Sequence, residues 1–190
     1  MSTVVNFNDP SYTEQVNRTS RPAGVGPREP VCYRVAEDLI EERINSGKHS
    51  KEGTFVLDYG CGRDFLNGPG SRLRQQFLAA GHLFMDFWDV GESMPPAAWQ
   101  PESWNRDYDL VILSSVLNVQ PSIEHLRCVL AEAWDWVAPG GSLVLNFPKE
   151  PRRVGLSLFG LMTELEQLPE LERYYQPQKL VFQLQKERKQ

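Results

Sequence analysis

Two rhythms of apolar residues alternate along this chain, short continuous runs and stripes recurring every three or four positions, and their alternation predicts strands separated by helices. From Pro30 to Ser46 the residues Val31, Val35, Leu39, Ile40 and Ile44 share a helical face, and Gly47 follows as a stop. Thr54-Phe55-Val56-Leu57-Asp58 is an apolar run ending on an acid; Tyr59 leads into Gly60, which predicts a strand and then a loop to Gly70. Leu73, Phe77 and Leu78 predict a helix ending at Gly81, and Leu83 to Asp89 a second strand. The Pro- and Trp-rich stretch between Val90 and Asp107 places no element. Leu110 to Ser114 is apolar through Leu113, as a strand covered on both faces should be. Pro121 and Ser122 open a helix, with Ser122 as N-cap and Leu126, Val129, Leu130, Ala133 and Val137 on one stripe. A turn at Pro139-Gly140-Gly141 leads into a strand from Ser142 to Phe147. Val154 to Leu168 predicts a helix apolar nearly all round, read as buried in preference to a partner surface. Glu172 to Gln176 and Lys179 to Gln185 predict a closing antiparallel hairpin. The whole reads as an α/β fold, an open and mostly parallel sheet with helices on both faces.

Ahead of this pattern, residues 1–28 carry Pro10, Pro22, Gly24, Gly26 and Pro27, which favour extended or irregular chain over helix. The segment is expected to be an arm. It is either a disordered tail or a lid that brings Tyr12, Arg18 and Arg21 to the site, and residues 29–190 form the domain it serves.

A length of 190 residues suits one domain whose core needs no metal or disulfide. Cys32, Cys61 and Cys128 are odd in number and lack a Cys-x-x-Cys pair, and His49, His82 and His125 are scattered, so reduced thiols, a cytoplasmic location and no metal centre are expected. No run of about 18 apolar residues would span a membrane. The net charge of −5 argues against a surface built throughout for nucleic acid but leaves a local basic patch open, for which Arg18, Arg21, Arg28 and Arg34 are the material.

The candidate chemistry centres on Asp58-Tyr59-Gly60-Cys61-Gly62. Gly60 and Gly62 lack a Cβ, so backbone there can approach a ligand closely, and Asp58 places negative charge where a cation could use it. A dinucleotide fingerprint wants the opposite, a turn that welcomes pyrophosphate and a further glycine where this chain has Phe65. The Asp-x-Gly-x-Gly stretch resembles the first motif of class I S-adenosylmethionine-dependent methyltransferases. Downstream, Tyr108-Asp-Leu-Val-Ile-Leu-Ser-Ser-Val-Leu-Asn118 and Pro139-Gly140-Gly141-Ser-Leu-Val-Leu resemble the same superfamily's fourth strand and the turn into its fifth, in the right order.

The resemblance covers Phe55 to Pro148 and implies a Rossmann-like sheet, S-adenosylmethionine as cofactor and methyl transfer to an acceptor, small molecule or nucleic acid. It implies that Asp58, Tyr59, Gly60, Cys61 and Gly62 hold the methionine part, with turn amides facing it, that Asp89 binds the ribose hydroxyls, and that Ser114 lies at the substrate end of the fourth strand with Ser115 and Asn118. Asp86 has the opposite strand parity from Asp89 and is expected on the other face. The chain departs from the family at Asp64, where a third glycine would stand; an accessory protein that binds the cofactor without turnover, or an enzyme that degrades it, is the alternative. No catalytic residue is assigned. His125 is either a base facing the cleft or a solvated helical residue, and Trp88, Trp99 and Trp104 either stack on a flat ligand or fill the core. The base-methylating motifs Asn-Pro-Pro-Tyr, Asp-Pro-Pro-Tyr and Pro-Cys are absent.

Overall fold

A computed structural model describes residues 9–17, 31–47, 53–61, 69–78, 83–88, 106–149, 151, 154–178 and 180–188. Its elements run α1 (Pro10–Asn17), α2 (Val31–Asn45), β1 (Thr54–Tyr59), α3 (Pro69–Leu78), β2 (Leu83–Trp88), β3 (Tyr108–Leu113), α4 (Ile123–Asp135), β4 (Val137–Asn146), α5 (Leu158–Leu165), β5 (Leu171–Gln178) and β6 (Val181–Lys186), with a 3-10 turn at Leu117–Val119. The strands form one sheet in the order β2-β1-β3-β4-β6-β5. β1 to β4 are mutually parallel, and β6 runs antiparallel to both β4 and β5, which is the expected closing hairpin.

Strand parity divides the core into two layers. Leu57, Tyr59, Val111, Leu113, Leu143, Leu145 and Leu184 face α4 and α5, while Val56, Met85, Leu110, Ile112 and Val144 face α2 and α3. A sheet covered on both faces needs continuously apolar strands, and for that reason Leu-Val-Ile-Leu was legible as one. α4 begins where Ser122 accepts a hydrogen bond from the His125 amide at 3.3 Å, as its sequence indicated.

Three expectations need correction. The N-terminal segment is not irregular throughout: α1 occupies part of it. Asp9 accepts from the Ser11 amide at 2.8 Å, and Pro10 sits in the first helical position, where its missing N–H costs nothing. Tyr12 and Val16, one turn apart, bury themselves against Trp88 and Val119. The helix expected over Val154 to Leu168 is only Leu158–Leu165, because Gly155 takes a φ of +67° and Ser157 caps the Gly160 amide at 3.0 Å. Leu161 and Leu165 are buried there and Phe159 is exposed. The Pro139-Gly140-Gly141 segment does not separate a helix from a strand as a turn. β4 already pairs at Val137 with Tyr108, then bulges before Ser142 meets Leu110, with the Gly140 amide donating to the Glu187 carbonyl at 3.2 Å. Val137 therefore belongs to β4 and not to the α4 stripe. The stretch from Val90 to Asn105, with Trp99 and Trp104, lies outside the described residues.

Candidate active site at the carboxyl ends of the strands

β2 and β3 flank β1, so successive connections leave its carboxyl end in opposite directions and open a crevice there. Asp58 stands at that end on the α2 face and is 2% exposed. Three elements converge on its carboxylate. The Tyr33 hydroxyl of α2 lies 3.0 Å from each oxygen. The first turn of α3 abuts it so closely that a Cβ on Gly70 would land on Oδ2, which brings the positive end of the helix dipole to the acid. Phe87 of β2 closes the third side, its ring 2.9 Å from the same point.

Cys32 extends this floor toward β3, its thiol sharing a hydrogen bond with half-buried Ser114. Burial pushes the Cys32 thiol up to about 12, and the Asp58 charge adds to the rise against the Ser114 bond. Burial, then the Asp58 charge, likewise hold Tyr33 well above the ordinary tyrosine value, so it remains a protonated donor. The negative field of Asp58 is thus felt across the crevice floor.

At Gly60 and Cys61 the glycine turn contributes shape more than donors. Gly60 has a φ of +79°, and a Cβ there would strike the γ-methyl of Val116, so the β1 turn presses against the chain leaving β3. The amides of Gly60 and Cys61 both donate to the Trp88 carbonyl, at 2.7 and 3.1 Å. The expectation that the turn amides face a ligand is corrected for these two: the main chain of β2 already uses them. Tyr59 points to the opposite, α4 face and packs on half-buried Trp88 with ring centroids 4.3 Å apart. Cys61 is buried, and Gly62, Asp64 and Asp89 lie outside the described residues.

Beside β3, Ser115 holds a φ of +63°, uncommon for a residue with a side chain, and its amide donates to Asn146 Oδ1. Ser115, Asn118, Asn146, Phe147, Pro148 and Leu180 line a hollow of about 190 Å³ at the ends of β3 and β4.

No family model matches the sequence, and no curated protein matches it. Solved structures do. A magnesium protoporphyrin IX methyltransferase from Synechocystis PCC 6803, solved with bound S-adenosylmethionine, superposes with a TM-score of 0.54 at 17% identity over 98% of this chain and 100% of that one. A TehB-like S-adenosylmethionine-dependent methyltransferase from Corynebacterium glutamicum gives 0.53 at 16% over 94% and 95%. The DszA carbon methyltransferase gives 0.60 at 13% over 81% of this chain and 53% of its own. The chain has the class I methyltransferase fold.

Within that fold, β1 and β3 bring Asp58, Gly60, Cys61 and Ser114 to one crevice, with Tyr59 behind it. Asp86 is not among them: it accepts from the Tyr108 hydroxyl at 2.9 Å, and burial, opposed by that bond, raises its pKa. His125 is half-buried and already engaged. Its ring stacks on Tyr12 of α1 at 5.3 Å and its Nδ1 lies 2.9 Å from Ser122 Oγ, while the Tyr12 hydroxyl donates to Gln120 at 2.7 Å. Tyr33, Cys32, Gly70 and Val116 were not singled out from the sequence. The one available signal was a tyrosine beside the apolar stripe of α2, a polar tip that a buried position obliges to find a partner. Among the described residues no cluster of His, Cys, Asp and Glu could hold a metal, and no helix is long and apolar enough to cross a membrane.

Proposed function

We propose that this protein binds S-adenosylmethionine in the crevice between β1 and β3 and transfers its methyl group to an acceptor, a small molecule or a nucleic acid. One observation carries the reading: the turn after β1 has a buried carboxylate beneath it, and its Gly60 and Cys61 amides are already satisfied by Trp88. A pyrophosphate needs the reverse, open amides and no acid. A cofactor with a positive amino group and sulfonium fits what is present, a buried carboxylate beneath a glycine turn. Asp58, Gly60, Cys61 and Ser114 are the described residues that would hold it, with Gly62 and Asp89 completing the set, Asp89 toward the ribose.

When bound, this cofactor supplies an activated methyl group on a positively charged sulfur. The chain's own part is positioning, the main demand of an in-line displacement. Asp58 offsets positive charge, and Tyr33 and α3 hold that carboxylate still. The hollow at Ser115, Asn118 and Asn146 adjoins the same edge and is where we place the acceptor; Asn118 Oδ1, buried and without a partner among the described residues, would accept from an N–H or O–H on it. We read residues 1–28 as a lid on a domain spanning 29–190, since α1 docks through Tyr12 and Val16 over Trp88 at this end of the sheet. Cys32, Cys61 and Cys128 form no disulfide, which supports a cytoplasmic setting.

Titration calorimetry with S-adenosylmethionine and S-adenosylhomocysteine tests cofactor use, and no saturable binding of either at millimolar concentration refutes it. Radiolabelled methyl transfer into cell extract then separates a transferase from an accessory protein, which would bind and label nothing. Loss of the cofactor without acceptor would instead mark a degrading enzyme.

A further inference from the structure

At the opposite, amino-terminal edge of the sheet lies a cleft of about 120 Å³ between the end of α2, the starts of β1 and β3, and the β5-β6 hairpin. It holds buried donors with no partner among the described residues. Thr54, the first residue of β1, is 0% exposed and its Oγ1 has no partner among the described residues. Nε of Arg43 is likewise buried and has no partner among the described residues. Groups of this kind are rare because each forfeits its hydration for no return.

The charges around them are unequal. Arg43, Arg173 and Arg188 line the cleft against Glu42 and Asp109. Asp109 is spent within the wall: it pairs with the Arg43 Nη2 and accepts from the Phe55 amide at 2.9 Å. Glu42 is exposed. Arg173 is steered by one bond, from Nε to Gln185 Oε1 at 2.9 Å, which leaves its terminal nitrogens to point elsewhere. Arg188 makes no ion pair among the described residues, and its stem crosses Gly140, whose missing Cβ would otherwise meet Cγ at 2.8 Å.

We propose that this cleft binds a phosphoryl group, as inorganic phosphate or as the terminal phosphate of a small ester, at a site remote from the crevice at Asp58. The orphaned groups are donors, and the cations outnumber the acids still available. The donors approach from α2, β1, β5 and the chain after β6. A tetrahedral oxyanion presents acceptor oxygens in that many directions, and an arginine fork can grip two of them side by side.

Thermal unfolding of the full chain in rising sodium phosphate, against sodium chloride at equal ionic strength, reads the site by mass action, because a ligand held only by the folded state raises Tm with its concentration. Phenyl phosphate serves as a parallel arm. A saturable rise specific to phosphate is expected. Arg173→Gln and Arg188→Gln, both at exposed positions, should each weaken the apparent Kd roughly tenfold, and Thr54→Val, which removes only the hydroxyl, should weaken it too. A response to phosphate alone marks a site for the free ion, and an equal or stronger response to the ester marks a phosphorylated small molecule; either upholds the proposal. An equal rise in chloride, or a phosphate response that survives both arginine substitutions, overturns it. Neither readout depends on the cofactor bound at the other end of the sheet.

Discussion

Tyr33→Phe removes one oxygen from a fully packed position and leaves the ring, so it tests the support of Asp58 without opening a cavity of consequence. The hydroxyl lies 3.0 Å from both carboxylate oxygens of a residue 2% exposed. A hydrogen bond to a charged group contributes about 1.5–3 kcal/mol, and burial of the acceptor leaves little water to replace the lost donor. For a chain of this size each kcal/mol moves Tm by about 2–4 °C, so the variant should melt about 3–12 °C lower. Urea denaturation at neutral pH should show a lower midpoint at unchanged slope, the sign of lost stability without a change in exposed surface. Calorimetry with S-adenosylhomocysteine adds a second readout: the Asp58 charge persists in Tyr33→Phe, so binding should weaken less than in Asp58→Asn, which removes the charge itself. A midpoint within error of the parent protein would refute the idea that Tyr33 holds this carboxylate.

The glycine turn can be separated into its conformational and its packing parts. Gly60 and Gly47 have φ values of +79° and +64°, but a Cβ at Gly47 meets nothing within 4 Å, whereas at Gly60 it strikes Val116. Both alanine substitutions should cost about 1–2 kcal/mol for a left-handed backbone; Gly60→Ala should lose more in urea denaturation and also lose S-adenosylhomocysteine binding, and equal losses would remove the close approach from the account. Alkaline pH provides a further test. Cys32, raised from 9.0 to about 12, and Tyr33, raised above 10.0, keep their protons in the fold at pH values where the unfolded chain has released them. Stability is therefore complete below the unfolded values and falls as pH rises past about 9 toward the folded ones, since the unfolded state then binds fewer protons. Urea midpoints across that range should decline, more gently in Tyr33→Phe, and a flat profile would contradict the burial of these groups.

Local periodicity carried the architecture. Leu110 to Leu113 read as a strand covered on both sides, the α4 stripe and its Ser122 cap were visible in order, and Asp58 before Gly60 marked the turn where the crevice opens. Such features are legible because they depend on neighbours one to four positions away. The same local reading misjudged α1, taking Pro10 as a breaker although Asp9-Pro10 is a helix start, and it extended α5 across Gly155, whose left-handed backbone no helix admits. What lay beyond it was set by the packing of distant segments. Tyr33 meets Asp58 across 25 residues, Trp88 takes the amides that a glycine turn would otherwise offer, and Arg43, Thr54, Arg173 and Arg188 share a cleft only because α2 and the β5-β6 hairpin close on the same sheet edge. A side chain's partner depends on which surfaces the sheet brings together, and a buried hydroxyl or a satisfied amide leaves no rhythm in the chain by which to find it.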